Sequence, residues 1–200
     1  MKKIGIMGGT FDPIHKGHLM LAQAAYSELG LDEVLFLPSK NPPHKLDKQI
    51  TSEEARCRMV MLAIEGYPQF RFSDIEMKRQ GRSYTVDTLR QLKSRYEQDM
   101  LYFIMGADSL LMLQDWKDPE EILSLAVIVV AVRDDVGKKE LEEVRKGLLQ
   151  KYSGEILLLS MERSRESSTM IREAVHEGKD ISQMVPEPVV AYIEEKGLYQ

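Results

Sequence analysis

The sequence predicts an α/β fold in which a doubly wound parallel sheet of five to six strands carries helices on both faces. Three observations predict it. Short apolar runs alternate with amphipathic helical patterns along the whole chain. No repeat, linker or low-complexity stretch interrupts that alternation. Strand, helix and strand already follow one another within about 35 residues at the start, which is the span of a βαβ unit with parallel strands. With 200 residues and 43% hydrophobic content the chain can bury a substantial core, and 1–200 is expected to form one domain.

The elements follow in order. Residues 2–7 read as a short buried strand. A helix over 17–29 is marked by Leu19, Ala22, Ala25, Tyr26 and Leu29 at helical spacing. A second strand at 33–38 closes on Pro38. Thr51-Ser52-Glu53-Glu54 opens the next helix like a capping box, with Ala55, Met59, Leu62 and Ala63 as its apolar face. Residues 70–76 alternate as a strand would. A further helix runs to about Tyr96, with Ser83 or Thr85 as its cap. Residues 101–105 and 125–132 are buried strands, the second delivering Arg133 to the sheet edge. A charged helix spans 138–151, and 155–159 is the last core strand. Ser167, Ser168 and Thr169 precede another helix, and 186–196 forms the final one, with Pro186 and Pro188 at its start.

Composition removes several classes of function. A net charge of −5 gives no basic field, so nucleic acid is not an expected partner. The single cysteine, Cys57, precludes an intramolecular disulfide and suits a reducing compartment. No apolar run approaches ~20 residues and the start is a strand rather than a signal-like segment, so a cytoplasmic protein without a membrane partner is expected. Twelve scattered methionines read as core filling.

The chemistry concentrates where the first strand meets the first helix, at Gly8-Gly9-Thr10-Phe11-Asp12-Pro13-Ile14-His15-Lys16-Gly17-His18. That turn faces the carboxyl edge of the sheet, where free backbone N–H groups and the positive end of a helix dipole attract anions. Two glycines allow close approach of a phosphate. His15 and His18, three apart, can face one anion as donors. Neither the P-loop nor the G-x-G-x-x-G pattern is present. A metal centre would need a third ligand that this helix does not provide. Ser39-Lys40-Asn41-Pro42-Pro43-His44-Lys45 leaves the second strand at the same edge, bringing an amide, an imidazole and two ammonium groups on a proline-stiffened loop. Gly106-Ala107-Asp108 ends the 101–105 strand and places a carboxylate there, suited to ribose hydroxyls or to capping. In the 163–172 segment, hydroxyls stand before a helix with Arg172 one turn inside, the arrangement of a second anion pocket.

These motifs resemble a known family. The opening eleven residues are similar to the signature of the nucleotidyltransferase superfamily with His-x-Gly-His in its first strand-to-helix turn. Ser167-Ser168-Thr169-Met170-Ile171-Arg172 resembles that superfamily's C-terminal motif, with Glu166 departing from the usual isoleucine. Asn-Pro-Pro-His-Lys at 41–45, Tyr84-Thr85-Val86-Asp87-Thr88 and the Gly106-Ala107-Asp108 to Trp116 pattern are similar to bacterial nicotinate-nucleotide adenylyltransferases. The resemblance covers essentially the whole chain.

It implies a Rossmann-like fold and transfer of AMP from ATP to nicotinate mononucleotide, giving deamido-NAD and pyrophosphate, with Mg²⁺ held by phosphates and water rather than by protein side chains. Under that reading His15 and His18 are catalytic donors to the triphosphate. Gly8, Gly9, Thr10, Phe11, Gly106, Asp108, Arg133, Ser168, Thr169 and Arg172 bind ATP. His44 and Lys45 bind phosphate. Asn41, Tyr84, Thr85 and Trp116 bind the nicotinate, Trp116 packing on the pyridine and the helix start near Thr85 receiving its carboxylate. Pantetheine-phosphate adenylyltransferase, nicotinamide-nucleotide adenylyltransferase and a non-catalytic nucleotide-binding regulator are the alternatives. A homo-oligomer is compatible with the sequence.

Overall fold

Six parallel strands form a single sheet in the order β3-β2-β1-β4-β5-β6. The structure, a computed structural model, describes residues 1–40, 50–132, 135–161 and 166–200. In chain order the elements are β1 (Lys3–Gly9), α1 (Lys16–Leu29), β2 (Glu33–Pro38), α2 (Glu53–Ile64), β3 (Phe70–Phe72), α3 (Thr85–Arg95), β4 (Met100–Gly106), α4 (Ala107–Leu111), α5 (Pro119–Leu125), β5 (Val127–Val132), α6 (Asp135–Lys151), β6 (Ile156–Ser160), α7 (Ser168–His176) and α8 (Glu187–Lys196). A 3₁₀ turn at Leu113–Asp115 links α4 to Trp116.

β1 is central because it is apolar on both faces. Ile4 and Ile6 point to one layer and Met7 to the other, and all three are buried. Its register runs Ile4↔Glu33 to Gly9↔Pro38 against β2 and Lys3↔Met100 to Met7↔Ile104 against β4. One layer packs α1, α2, α7 and α8 through Leu19, Ala22, Met59, Ile171 and Val189. The opposite layer packs α3, α5 and α6 through Leu89, Leu92, Ile122, Leu141 and Leu148. Each such fully buried Leu or Ile contributes about 1.5–3 kcal/mol relative to exposure. The order of strands reverses between β1 and β4, so the crevice beyond their carboxyl ends is the switch point where ligands bind in open α/β sheets.

The structure corrects several boundaries. The 70–76 strand is only three residues long, its pairing with β2 ending at Phe36↔Phe72. After Ser73, whose N–H donates to Phe36 O at 3.0 Å, the chain coils instead, and Ile75 becomes the buried residue. Residue 125 ends α5 rather than starting β5, since Pro119 and Glu120 begin a helix that the apolar run at 122–132 concealed. Tyr84 is the N-cap of α3 with no side-chain bond, so neither Ser83 nor Thr85 caps it. Among the described residues no helix is long and apolar enough to cross a membrane.

Candidate active site

The first turn is a strained loop held in place by packing. Phe11 sits at φ 50°, a left-handed conformation that costs a non-glycine residue of order 1–3 kcal/mol and persists only where surroundings impose it. Here they do. Its buried ring lies 6.0 Å from Phe36 and meets His18 edge-on at 5.1 Å. Gly9 lies close against it, since a Cβ there would meet the Phe11 ring at 3.0 Å and press on it.

His15 is the N-cap of α1, and its backbone N–H donates to Nδ1 of His18 at 3.2 Å. With Nδ1 accepting, a neutral His18 carries its proton on Nε2, so the far side of the ring is a donor. The two imidazoles pack at 3.7 Å between centroids, tilted by 33°. Loop, cap and ring packing therefore set one imidazole tautomer at the start of a helix.

α7 closes on the same turn. Ser167 caps it by accepting from Met170 N–H at 3.2 Å. The Ser168 hydroxyl donates to Pro13 O at 2.9 Å, and Arg172 donates from Nη1 to Asp12 O at 2.7 Å and from Nη2 to Thr169 Oγ1 at 3.3 Å. The Asp12 carboxylate, almost fully buried, accepts from the Tyr199 hydroxyl at 2.7 Å. Burial, with Asp12 alongside, pushes that phenol far above its ordinary range, so Tyr199 remains a donor.

Two adjoining cavities open at this edge and share Gly8, Phe103 and Trp116 as a wall. One, of about 370 Å³, is lined by His15, His18, Gly106, Asp108, Glu166 and Ser168. The other, of about 230 Å³, is lined by Gly9, Thr10, Tyr84, Thr85, Glu76 and Lys117. Trp116 stands edge-on to Phe103, centroids 6.4 Å apart, and its buried indole N–H has no hydrogen-bond partner among the described residues.

Most of the expected site residues thus converge. Phe11 lies behind the wall as a support, and Thr169 and Arg172 sit just outside both cavities, bonded to each other and to the first turn. Gly106, not Asp108, is the N-cap of α4, so Asp108 does no capping. Asn41, His44, Lys45 and Arg133 lie outside the described residues.

Sequence reasoning passed over Glu76, Lys117, Arg56 and Tyr199. Lys117 is held at the smaller cavity by Asp87, 3.2 Å away, and by the Tyr84 ring, 4.9 Å to its centroid. Only its position next to Trp116 hinted at this. Arg56 was detectable as a charge on the buried stripe of α2, one turn before Met59 and Val60. Glu76 fell in a supposed strand, and Tyr199 reaches Asp12 across 187 positions, a contact no local pattern signals.

Glu76 accepts from the Thr88 hydroxyl at 2.7 Å, and burial raises its carboxyl above the ordinary value of 4.5 although hydrogen bonds from Thr88 and Ser83 oppose the shift. A raised folded-state value means that the native state holds the proton more tightly. Its contribution is therefore full below about pH 4.5 and is lost as pH rises through the folded value. Glu76→Gln, which cannot ionise, should gain thermal stability relative to the parent across that rise. A Tm difference between parent and variant that is flat from pH 4 to 8 would remove this role.

A profile of the cytidylyltransferase-like family matches residues 6–174. A protein of Lachnoclostridium phytofermentans named as a probable nicotinate-nucleotide adenylyltransferase is 44% identical over 199 residues, covering 100% of both chains. One of the same name from Dehalococcoides mccartyi is 44% identical over 98% of this chain and 97% of its own. Among solved structures, the nicotinic acid mononucleotide adenylyltransferase of Plasmodium falciparum complexed with NaAD superposes with a TM-score of 0.79 at 21% identity, covering 100% of this chain and 98% of that one. That likeness carries the fold, and the two close relatives carry the family. The chain belongs to the cytidylyltransferase-like family and, within it, to the nicotinate-nucleotide adenylyltransferases.

Proposed function

We propose that this chain transfers AMP from ATP to nicotinate mononucleotide, with ATP in the larger cavity and the pyridine nucleotide in the smaller. The observation that carries the reading is the shared wall at Gly8 and Trp116, beside the His18 donor. Two substrates seated on either side of it meet at the first turn, where the phosphate of one can face the α-phosphorus of the other.

The acceptor phosphate is already a nucleophile at neutral pH, so no side chain needs activation. Catalysis is positioning and charge stabilisation around an in-line displacement. His18 donates from Nε2 as charge builds on the α-phosphate. The amides of the first turn and the dipole of α1 receive the neighbouring oxygens. Ser168 and Arg172 fix α7 against that turn, so the second helix start faces the leaving phosphates; His44 and Lys45 complete the reading from the 41–45 loop.

Among the described residues no cluster of three or more His, Cys, Asp or Glu side chains could cage a metal, and in this reading Mg²⁺ would come with the phosphate oxygens and water of ATP. When bound it neutralises charge on the departing pyrophosphate. Incubation of the chain with ATP, Mg²⁺ and nicotinate mononucleotide should give deamido-NAD and pyrophosphate in equal amounts. Pyrophosphate without the dinucleotide, or neither product, would overturn the assignment.

A further inference from the structure

Among the described residues Arg56 is the largest fully buried side chain, 1% exposed, and forms no ion pair. Its guanidinium instead takes three backbone carbonyls. Nη1 donates to Thr10 O at 2.7 Å and to Ser39 O at 2.8 Å, and Nε donates to Thr51 O at 3.1 Å. Those carbonyls belong to the exits of β1 and β2 and to the start of α2. Ser39 N–H also donates to Gly9 O at 2.8 Å, so the two loops leaving the sheet are joined at the point where Arg56 grips them.

A buried charge without a counter-ion is costly unless its donors are satisfied. Holding a helix in place does not require one, because Ala55, Met59, Val60 and Ala63 already bury the same face of α2. The consequence of the contact lies in the peptide plane. In a trans peptide the C=O and the following N–H point in opposite directions. Pulling Thr10 O inward therefore turns the Phe11 N–H outward, away from the core, in the turn that precedes the histidines. Pulling Ser39 O inward turns out the Lys40 N–H, which donates to Ser83 Oγ at 3.2 Å beside the smaller cavity.

We infer that Arg56 is a positioning residue, which by holding the carbonyls of Thr10 and Ser39 on one nitrogen aims the Phe11 N–H at the phosphate site and locks the first loop to the second. The inference rests on the proposed function only for the identity of the nucleotide.

Three variants test it. Arg56→Gln removes the charge and the fork. Arg56→Lys keeps the charge with a single ammonium, which cannot reproduce the planar fork. Leu148→Ala, a buried position on α6 in the opposite layer, is a control for lost stability alone. ATP binding is measured by calorimetry without acceptor at a temperature where circular dichroism shows each variant folded. Arg56→Gln should bind ATP about tenfold more weakly, with Arg56→Lys between it and the parent, while Leu148→Ala binds as the parent does whatever its Tm. With acceptor present, kcat of Arg56→Gln should fall by about 10–10².

Parent-like ATP affinity in folded Arg56→Gln would overturn the inference, as would a loss that Leu148→Ala shares. If Arg56→Gln does not fold, parent-like affinity in Arg56→Lys overturns it equally. Because binding is read without acceptor, a parent that binds ATP yet makes no deamido-NAD contradicts the proposed function and leaves this result to be read separately.

Discussion

His18→Ala should lower kcat by about 10²–10³ while the KM for each substrate changes far less, the loss seen when one donor to a developing oxyanion is removed. The expectation follows from the tautomer that the backbone imposes. Nδ1 of His18 is occupied by the His15 N–H, so the ring presents Nε2–H. Phe11 holds the ring edge-on, and the tilted His15 ring, 3.7 Å away between centroids, limits its rotation. A donor fixed before substrate arrives need not reorganise as charge develops. Removing the ring also leaves the His15 N–H without that acceptor, at a cost of about 1 kcal/mol in stability. Thermal denaturation run alongside the kinetics separates the two effects. Near-normal turnover in a folded His18→Ala would return His18 to a capping role.

The second large effect concerns the pyridine substituent. Nicotinate mononucleotide should exceed the neutral amide by at least one to two orders of magnitude in kcat/KM, since a desolvated carboxylate gains about 1.5–3 kcal/mol per charge-assisted hydrogen bond. Thr85 begins α3, where backbone N–H groups are free and the dipole is positive. Lys117 is the one cationic side chain among the described residues lining the smaller cavity, and Glu76 and Asp115 line it too. Burial shifts Glu76 toward its neutral form, which lessens its repulsion of an anion. Arg90 also holds Asp87, at 2.9 Å, so Lys117 can turn from Asp87 to a substrate carboxylate without stranding that acid. Lys117→Met should reduce kcat/KM for the acid by about 3–10-fold and leave the amide unchanged. Trp116→Ala should shrink the preference by loosening the ring. Equal kcat/KM for acid and amide in the parent would refute the pyridine-site assignment.

The fold was legible because parallel strands buried on both faces read as continuous apolar runs, and the connecting helices carried clear periodicity. β2 and the first turn came out as expected. Where the reading failed, a local pattern had two interpretations. Phe70 to Phe72 continued into Ser73 and Asp74 with apparent alternation, yet the pairing with β2 stops at Phe72 and Glu76 is buried against Thr88 instead of lying in a strand. The 122–132 run is apolar but for Ser124, so its division into α5 and β5 depended on Pro119 opening a helix.

The site was legible in its motifs but not in its supports. Gly8, Gly9, His15 and His18 stand together in one turn, and Trp116 follows the Gly106-Ala107-Asp108 motif in the same stretch of chain. By contrast Arg56 and Arg172 act on backbone carbonyls of Thr10 and Asp12, which every residue possesses, and Tyr199 reaches the Asp12 carboxylate from the far end of the chain. The same fact reassigns part of Arg172. Read as a phosphate fork, it places one nitrogen on Asp12 O and another on Thr169, so it shapes the pocket as well as charging it.

The proposed transfer is direct, between substrates held on either side of the Gly8 and Trp116 wall, with His18 donating a hydrogen bond from Nε2 rather than attacking phosphorus. Stereochemistry at the α-phosphorus tests it most directly. With ATP carrying a single sulfur of known configuration on that phosphorus, one in-line displacement by the mononucleotide phosphate gives a thio-dinucleotide of inverted configuration. Inversion is the predicted result. Retention would require two displacements and an AMP-bearing residue between them, and would contradict both the role given to His18 and the adjoining arrangement of the two cavities.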